Sequence, residues 1–290
     1  MGETVGHLSA HQADIRHRVL EVDDPPPLGE GLERFLQTLN DDQLTAEQLE
    51  SAIGHDQGLA ARILKMANSA FYGYRGSIRT LSSAIVTLGF PEVKSLCLCA
   101  LLVDRFDKAQ HLSREEKDTL WKHAFLTGTV AWALVKKRPW IQESEAYFLG
   151  VLHDVGRLVL AAHFYDDFQA ISVQSHLDGL SLWETEQRYG ITHTDIGQWV
   201  GTHWGFPEEY VRVLGHHHRP DRAPSCRPEC QLVFVADGLA HVKSAPQWAW
   251  EPFTLSVRRD LYIGEEEWAA AVDGMDALVE QVEGLWNALR

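Results

Sequence analysis

Apolar residues recur along this chain at three- and four-residue intervals nearly everywhere, and clean two-residue alternation is almost absent. That period predicts helices. No Asn-Gly or Asp-Gly signal separates two strand-like runs, so the chain reads as all-α. An amphipathic N-terminal arm (about 8–21) ends at the stiff Pro25-Pro26-Pro27 linker. Leu32, Phe35, Leu36 and Leu39 mark the next helix face. Thr45 and Gln48 form a capping-box pattern for a short helix that stops near Gly54. Leu59, Ile63 and Met66 line a helix ending near Asn68, with Phe71-Tyr72-Gly73 expected as a loop. Leu81, Ile85 and Leu88 repeat the pattern up to Gly89, and Pro91 suits the first turn of the helix carrying Leu96, Ala100 and Val103.

A charged stretch from Asp104 to Lys117 marks a boundary. Beyond it, Ser113 and Glu116 cap a helix of about 25 residues, stopped by Lys136-Lys137-Arg138-Pro139. The segment 144–163 is apolar almost all round, which predicts one central buried helix. Ser181 with Glu184, Thr192 or Thr194, and Pro207 open three more helices. Another lies near 229–243, and a final one at about 265–288. The expected organisation is an arm and linker (1–27), an N-terminal helical lobe (28–112), a second helical lobe (113–245) and a C-terminal tail with a terminal helix (246–290).

Composition narrows the function. Asp and Glu number 41 against 26 Lys and Arg, a formal charge of −15 that disfavours non-specific nucleic-acid binding and anionic membranes. Four cysteines fit a reducing compartment, and Cys226 and Cys230 have no second pair at zinc-site spacing. No apolar core lies in the first twenty residues, and Leu96–Val103 is far too short for a membrane span, so a soluble cytoplasmic protein is expected.

The chemistry lies in fifteen histidines, several on apolar faces. His123 shares a face with Leu120, Thr127, Val130 and Leu134. His153-Asp154 sits within the all-apolar segment, where neighbouring residues about 100° apart on a helix can reach one ion. His193 lies with Ile196, Gly197 and Val200, and His217 and His218 follow Tyr210, Val213 and Leu214. Asp237 lies with Val233, Ala236 and Ala240, whereas His203 and His216 fall off these stripes. Buried carboxylates and imidazoles must satisfy one another or hold a cation. Both solutions are open on the spacing alone: a self-satisfied hydrogen-bond network, or a divalent metal such as Zn, Fe, Mn or Ni.

The order His123, His153-Asp154, Asp237 resembles the HD superfamily of metal-dependent phosphohydrolases. The chain from about 28 to 243 resembles, more specifically, an HDOD domain, the HD-related output domain of bacterial signalling proteins. The N-terminal matches run from Leu59 to Ala70, with Asn68-Ser69-Ala70-Phe71-Tyr72-Gly73 specific, and from Ile78 to Gly89. The C-terminal matches include Trp121-Lys122-His123, Gly150 to Leu160, Glu186 to His193, Trp204 to Pro207, His217-His218 and Ala236-Asp237. Asp56-Gln57 departs from the usual Asp-Pro.

The resemblance implies a two-lobed helical fold with an HD-like C-terminal bundle, and a regulatory role through contacts with signalling proteins. It implies one or two divalent ions (Fe, Mn, Zn, Ni or Mg) on His123, His153, Asp154 and Asp237, with His193, His217 and His218 matching second-metal positions in the related HD-GYP phosphodiesterases. Phosphodiester hydrolysis and nucleotide sensing without turnover are the alternatives, and no catalytic residue is assigned. Against hydrolysis, Arg219-Pro220-Asp221-Arg222 replaces the Gly-Tyr-Pro segment, and Arg157 stands where those enzymes carry Lys. Arg157 cannot readily act as an acid but can contact phosphate, and with Arg219 and Arg222 could form a basic mouth. Trp248, Trp250, Phe253 and Trp268, in a less regular C-terminal region, suggest a protein-binding patch.

Overall fold

A computed structural model describes residues 32–33, 35–36, 45–53, 57–74, 76–136, 138–242 and 251–289. The N-terminal arm, the triple-proline linker, Leu39, Asp56, Trp248 and Trp250 lie outside the described residues, as does the side chain of Phe253. Every regular element among the described residues is helical. In chain order these are α1 (Ala46–Ile53), α2 (Gln57–Ala67), a 3-10 turn (Ala70–Tyr72), α3 (Leu81–Leu88), α4 (Phe90–Asp107) and α5 (Arg114–Val135). They continue with α6 (Glu143–Leu152), α7 (Val155–His163), α8 (Tyr165–Asp178), α9 (Leu182–Tyr189), α10 (His193–His203) and α11 (Glu208–His216). A second 3-10 turn (Pro220–Arg222) precedes α12 (Arg227–Val242), α13 (Glu251–Asp260), α14 (Glu265–Asp273) and α15 (Met275–Leu289).

The sequence caps act where their spacing placed them. The Ser113 and Ser181 hydroxyls accept from the backbone N–H groups of Glu116 and Glu184, and each glutamate accepts from its cap's N–H in return. Thr192 opens α10 by the same exchange with Asp195. The Asn68 motif has a plain mechanical role: its amide donates to the Leu64 and Ile78 carbonyls, both at 2.7 Å, and its oxygen accepts from the Ile78 N–H. That ties the end of α2 to the lead-in of α3 across a segment that forms a 3-10 turn rather than the expected loop.

Two further expectations change. The apolar 144–163 segment is two helices, α6 and α7, broken at His153-Asp154, where Asp154 (φ −97°, ψ 17°) leaves helical geometry. The expected terminal helix is also two, α14 and α15, parted at Gly274. The described part of the C-terminal region is helical rather than irregular, and Trp268 is half-buried under the Arg258 guanidinium, 4.5 Å from its ring centre. One core runs from Leu32 through Ile63, Leu96, Trp121, Phe148 and Leu214 to Trp286, so α15 returns to seal the first helices against α5. A second core joins α5, α6, α12 and α13. The helix pair α5 and α6 is shared by both cores; His123 lies on α5 and His153 caps the C-terminal end of α6.

Candidate metal centre

Backbone proximity assembles this site. A Cβ on Gly150 would fall 2.6 Å from the Gly128 Cα, so its absence lets α6 lie directly on α5, with His123 and His153 facing each other. Their ring centres are 5.3 Å apart. A Cβ on Gly156 would fall 2.0 Å from the His193 carbonyl oxygen, so α7 and α10 touch through their backbones beside Asp154. The break after α6 then turns the Asp154 side chain inward, where it caps no helix.

The side chains converge. His123 Nε2 lies 3.1 Å from Asp237 Oδ1 and 3.7 Å from Asp154 Oδ2. His153 Nε2 lies 3.5 Å from Asp154 Oδ2 and 3.7 Å from Asp237 Oδ1. The other Asp154 oxygen faces a second group: His193 Nε2 at 3.1 Å and His217 Nε2 at 4.0 Å. His193 Nε2 in turn lies 3.2 Å from His217 Nε2 and 3.1 Å from His218 Nε2. Asp154 therefore stands between two imidazole groups. His203 is exposed and His216 only half-buried, as their positions off the apolar stripes predict.

The outer ring nitrogens orient the inner ones. His153 Nδ1 meets the Gly150 carbonyl at 2.6 Å, and His217 Nδ1 meets the Val213 carbonyl at 3.0 Å. A carbonyl only accepts, so Nδ1 carries the proton in both, and Nε2 presents a lone pair to the centre. His193 Nδ1 lies 2.5 Å from Glu186 Oε2, which also accepts from the His193 backbone N–H at 2.9 Å. Glu186 is 1% exposed, and Arg157 lies between it and Asp154, bonded to Asp154 Oδ2 and within 3.7 Å of Glu186 Oε1. The guanidinium thus sits among Asp154, Glu186 and His193, whose Nδ1 lies 3.0 Å from one of its amino nitrogens.

Charge states follow from burial and neighbours. Burial pushes the Asp154 carboxyl up, but Arg157 and then the surrounding imidazoles outweigh it and hold it well below the usual range. Asp237 is depressed likewise against burial, chiefly by His241, whose Nδ1 lies 2.9 Å from Asp237 Oδ1. Burial lowers His123 and His218 and takes His217 down to about 3, with neighbouring imidazoles adding to the effect for His217 and His218. His241 goes the other way, to about 9, because Asp237 overrides its burial. Near neutral pH the centre therefore holds ionised carboxylates and neutral His123, His217 and His218, the forms in which these groups bind metal.

Of the twelve buried side-chain polar atoms among the described residues that make no hydrogen bond of acceptable geometry, four lie together here: His123 Nε2, His153 Nε2, Asp154 Oδ1 and Asp237 Oδ1. All four point at the shared interior, and buried polar atoms are seldom left so. The donor set fits a cation. Possible ligand trios occur at His123–His153–Asp154, His193–His217–His218 and His123–Asp237–His241. Sequence reasoning missed His241 and the role of Glu186. The signal for His241 was its spacing of four from Asp237 on one helix.

The described helices form an all-α bundle that gathers these His and Asp side chains in its interior. The chain belongs to the HDOD domain family, whose match covers residues 26–220. It is similar to a solved HDOD domain protein of Geobacter sulfurreducens at 19% identity and TM-score 0.80, over 95% of this chain and 98% of that one. It is also similar to a Shewanella amazonensis protein titled "Putative phosphohydrolase", at 20% identity and TM-score 0.74, over 97% and 98%. These likenesses speak for the fold. A Treponema pallidum protein of uncharacterised function is 23% identical over 207 residues, which span 70% of this chain and 39% of that relative. Among the described residues, no helix is long and apolar enough to cross a membrane.

Proposed function

We propose that this protein is a regulatory output module that holds divalent metal at the His/Asp centre and acts through contacts with signalling proteins. The observation that carries the metal is the set of four unsatisfied, buried, converging atoms on His123, His153, Asp154 and Asp237. Asp154 Oδ1 with His193, His217 and His218 would hold a second ion. The imidazole-rich set favours Zn, Fe, Mn or Ni over Mg, which prefers all-oxygen surroundings.

A second reading, phosphodiester hydrolysis, draws support from access. The His123, His218 and His241 side chains keep 19%, 13% and 30% exposure on one edge of the centre. A bound ion would supply Lewis acidity there. Against this reading, Arg157 is buried and bonded to Asp154, with Glu186 beside it, so little of its charge is left to draw phosphate. The test is elemental analysis of purified protein beside His153→Ala and Asp154→Ala. One or two equivalents of metal, lost in both folded variants, with no turnover of a generic phosphodiester, is the expected result. Turnover abolished in the same variants would establish the hydrolase instead. Wild-type protein that takes up no metal after reconstitution would leave a self-contained hydrogen-bond network.

A further inference from the structure

Away from the metal centre, a groove of about 860 Å³ runs between the α5–α6 connection and the α13–α14 junction. Its walls include Pro139, Trp140, Tyr262 and Glu266. Tyr262 is the unusual member. The Tyr262 N–H donates to the Arg259 carbonyl and the Ile263 N–H to the Arg258 carbonyl, a helix-ending turn that places Tyr262 at φ 57°. Glycine suits that position, because a side chain there crowds the backbone. Tyr262 recovers nothing by burial, since it is 86% exposed. Trp140, on the same groove, is 37% exposed.

The backbone beneath is fixed from the other side. Arg138 donates to the Leu261 carbonyl at 3.0 Å and the Tyr262 carbonyl at 3.1 Å, and grips both Glu267 oxygens at 2.9 and 2.8 Å. A strained aromatic held outward on a rigid support is a feature of binding surfaces rather than of cores. Arg138 and Glu267 on the groove lining neutralise each other, which leaves Glu266 as the lining charge outside that pair. Of the three glutamates opening α14, Glu267 pairs with Arg138 and Glu265 with Arg258, while Glu266 stands exposed on the groove wall.

From this juxtaposition we propose that the groove docks an extended, proline-containing segment of a partner protein that carries arginine or lysine beside its prolines. Flat ring faces of Trp140 and Tyr262 suit proline rings, and Glu266 suits the flanking cation. The net charge of −15 favours a basic ligand further.

The test is fluorescence anisotropy of the full chain with a labelled peptide of repeated Arg-Pro-Pro units, beside its Glu-Pro-Pro counterpart. The expected result is saturable binding of the basic peptide only, weakened about tenfold or more by Trp140→Ala, Tyr262→Gly and Glu266→Lys. Metal content should be unchanged in all three. Tyr262→Gly also separates binding from folding, because Tm should hold or rise while affinity falls. Three outcomes overturn the proposal: no binding of the basic peptide to the folded wild type, equal binding of both peptides, or full affinity retained by Tyr262→Gly. Self-association in the ultracentrifuge, lost in the same variants, would give the face to a second copy of this chain and overturn it too.

Discussion

Gly156→Ala tests how the centre is built. The new Cβ would sit 2.0 Å from the His193 carbonyl oxygen, 2.6 Å from the Gly197 nitrogen and 3.0 Å from the His193 carbonyl carbon. All three are backbone atoms, so no side chain can rotate away. Non-bonded heavy atoms rest at about 3.5 Å or more, so α7 and α10 have to part by roughly 1 Å or more. Overpacking of this kind costs about 1–3 kcal/mol, and the rigid backbone on both sides puts this case at the upper end. For a chain of this size about 3 kcal/mol corresponds to a Tm drop of roughly 6–12 °C. The displacement also carries His193 Nε2 away from Asp154 Oδ1, now 3.1 Å distant, so metal retention at the His193 side should fall. Scanning calorimetry and elemental analysis on one sample read both effects. A variant that melts within about 1 °C of wild type and keeps its metal would refute the close-approach argument.

Other substitutions probe separate links. Gly284→Ala, on α15 with nothing within 4 Å of the added Cβ, should stabilise by about 0.5–1 kcal/mol, read by urea unfolding; a loss would contradict the open surroundings. Glu186→Gln should weaken metal binding about 10–100-fold in a chelator competition, because His193 Nδ1 loses its charged partner; unchanged affinity would remove Glu186 from the site's support. Metal-free protein should lose stability as pH falls from about 6.5. His217, at about 3 when folded and 6.5 ordinarily, takes up its proton in the unfolded chain first. The slope is up to about 1.4 kcal/mol per pH unit for that residue, and His218 acts in the same direction. His241 is opposite in sign: its contribution is complete below 6.5 and is lost as pH rises through about 9. Urea titrations across pH 4–10 on wild type and His241→Ala would show it as a wild-type advantage that is full below about 6.5 and shrinks away as pH rises through about 9.

Helices and caps were legible because they are local. Ser113 meets Glu116 three residues away, and no distant contact is needed to fix that end. Convergence of His123, His153, Asp154 and Asp237 was legible less directly, from polar groups stranded on apolar faces. What escaped depends on tertiary geometry. The break at His153-Asp154 interrupts a run whose apolar pattern continues without a change of period. Glu186 looked like any helix glutamate until α9 and α10 placed it under His193. Sequence alone offers Arg157 as a possible phosphate contact and gives no sign of the neighbours it has in the fold, Asp154, Glu186 and His193. Sequence spacing records which face a residue occupies; it does not record which partner reaches that face first.

The break at Asp154 also explains why the centre cannot be read as a core with incidental histidines. Interrupting the helix removes backbone hydrogen bonds, and Asp154 does not offset the loss by capping α7. Desolvating this cluster is a second penalty, of which the Asp154–Arg157 and Asp237–His241 pairings offset a part. An apolar pair at these positions would have packed more cheaply against Leu152 and Val155, both 1% exposed. A cation shared by the converging donors offsets both penalties together, so metal uptake should raise the Tm of wild type and do much less for Asp154→Ala. If the metal-free protein already melts at the temperature of the reconstituted one, the polar centre is stable without an ion and the metal reading fails.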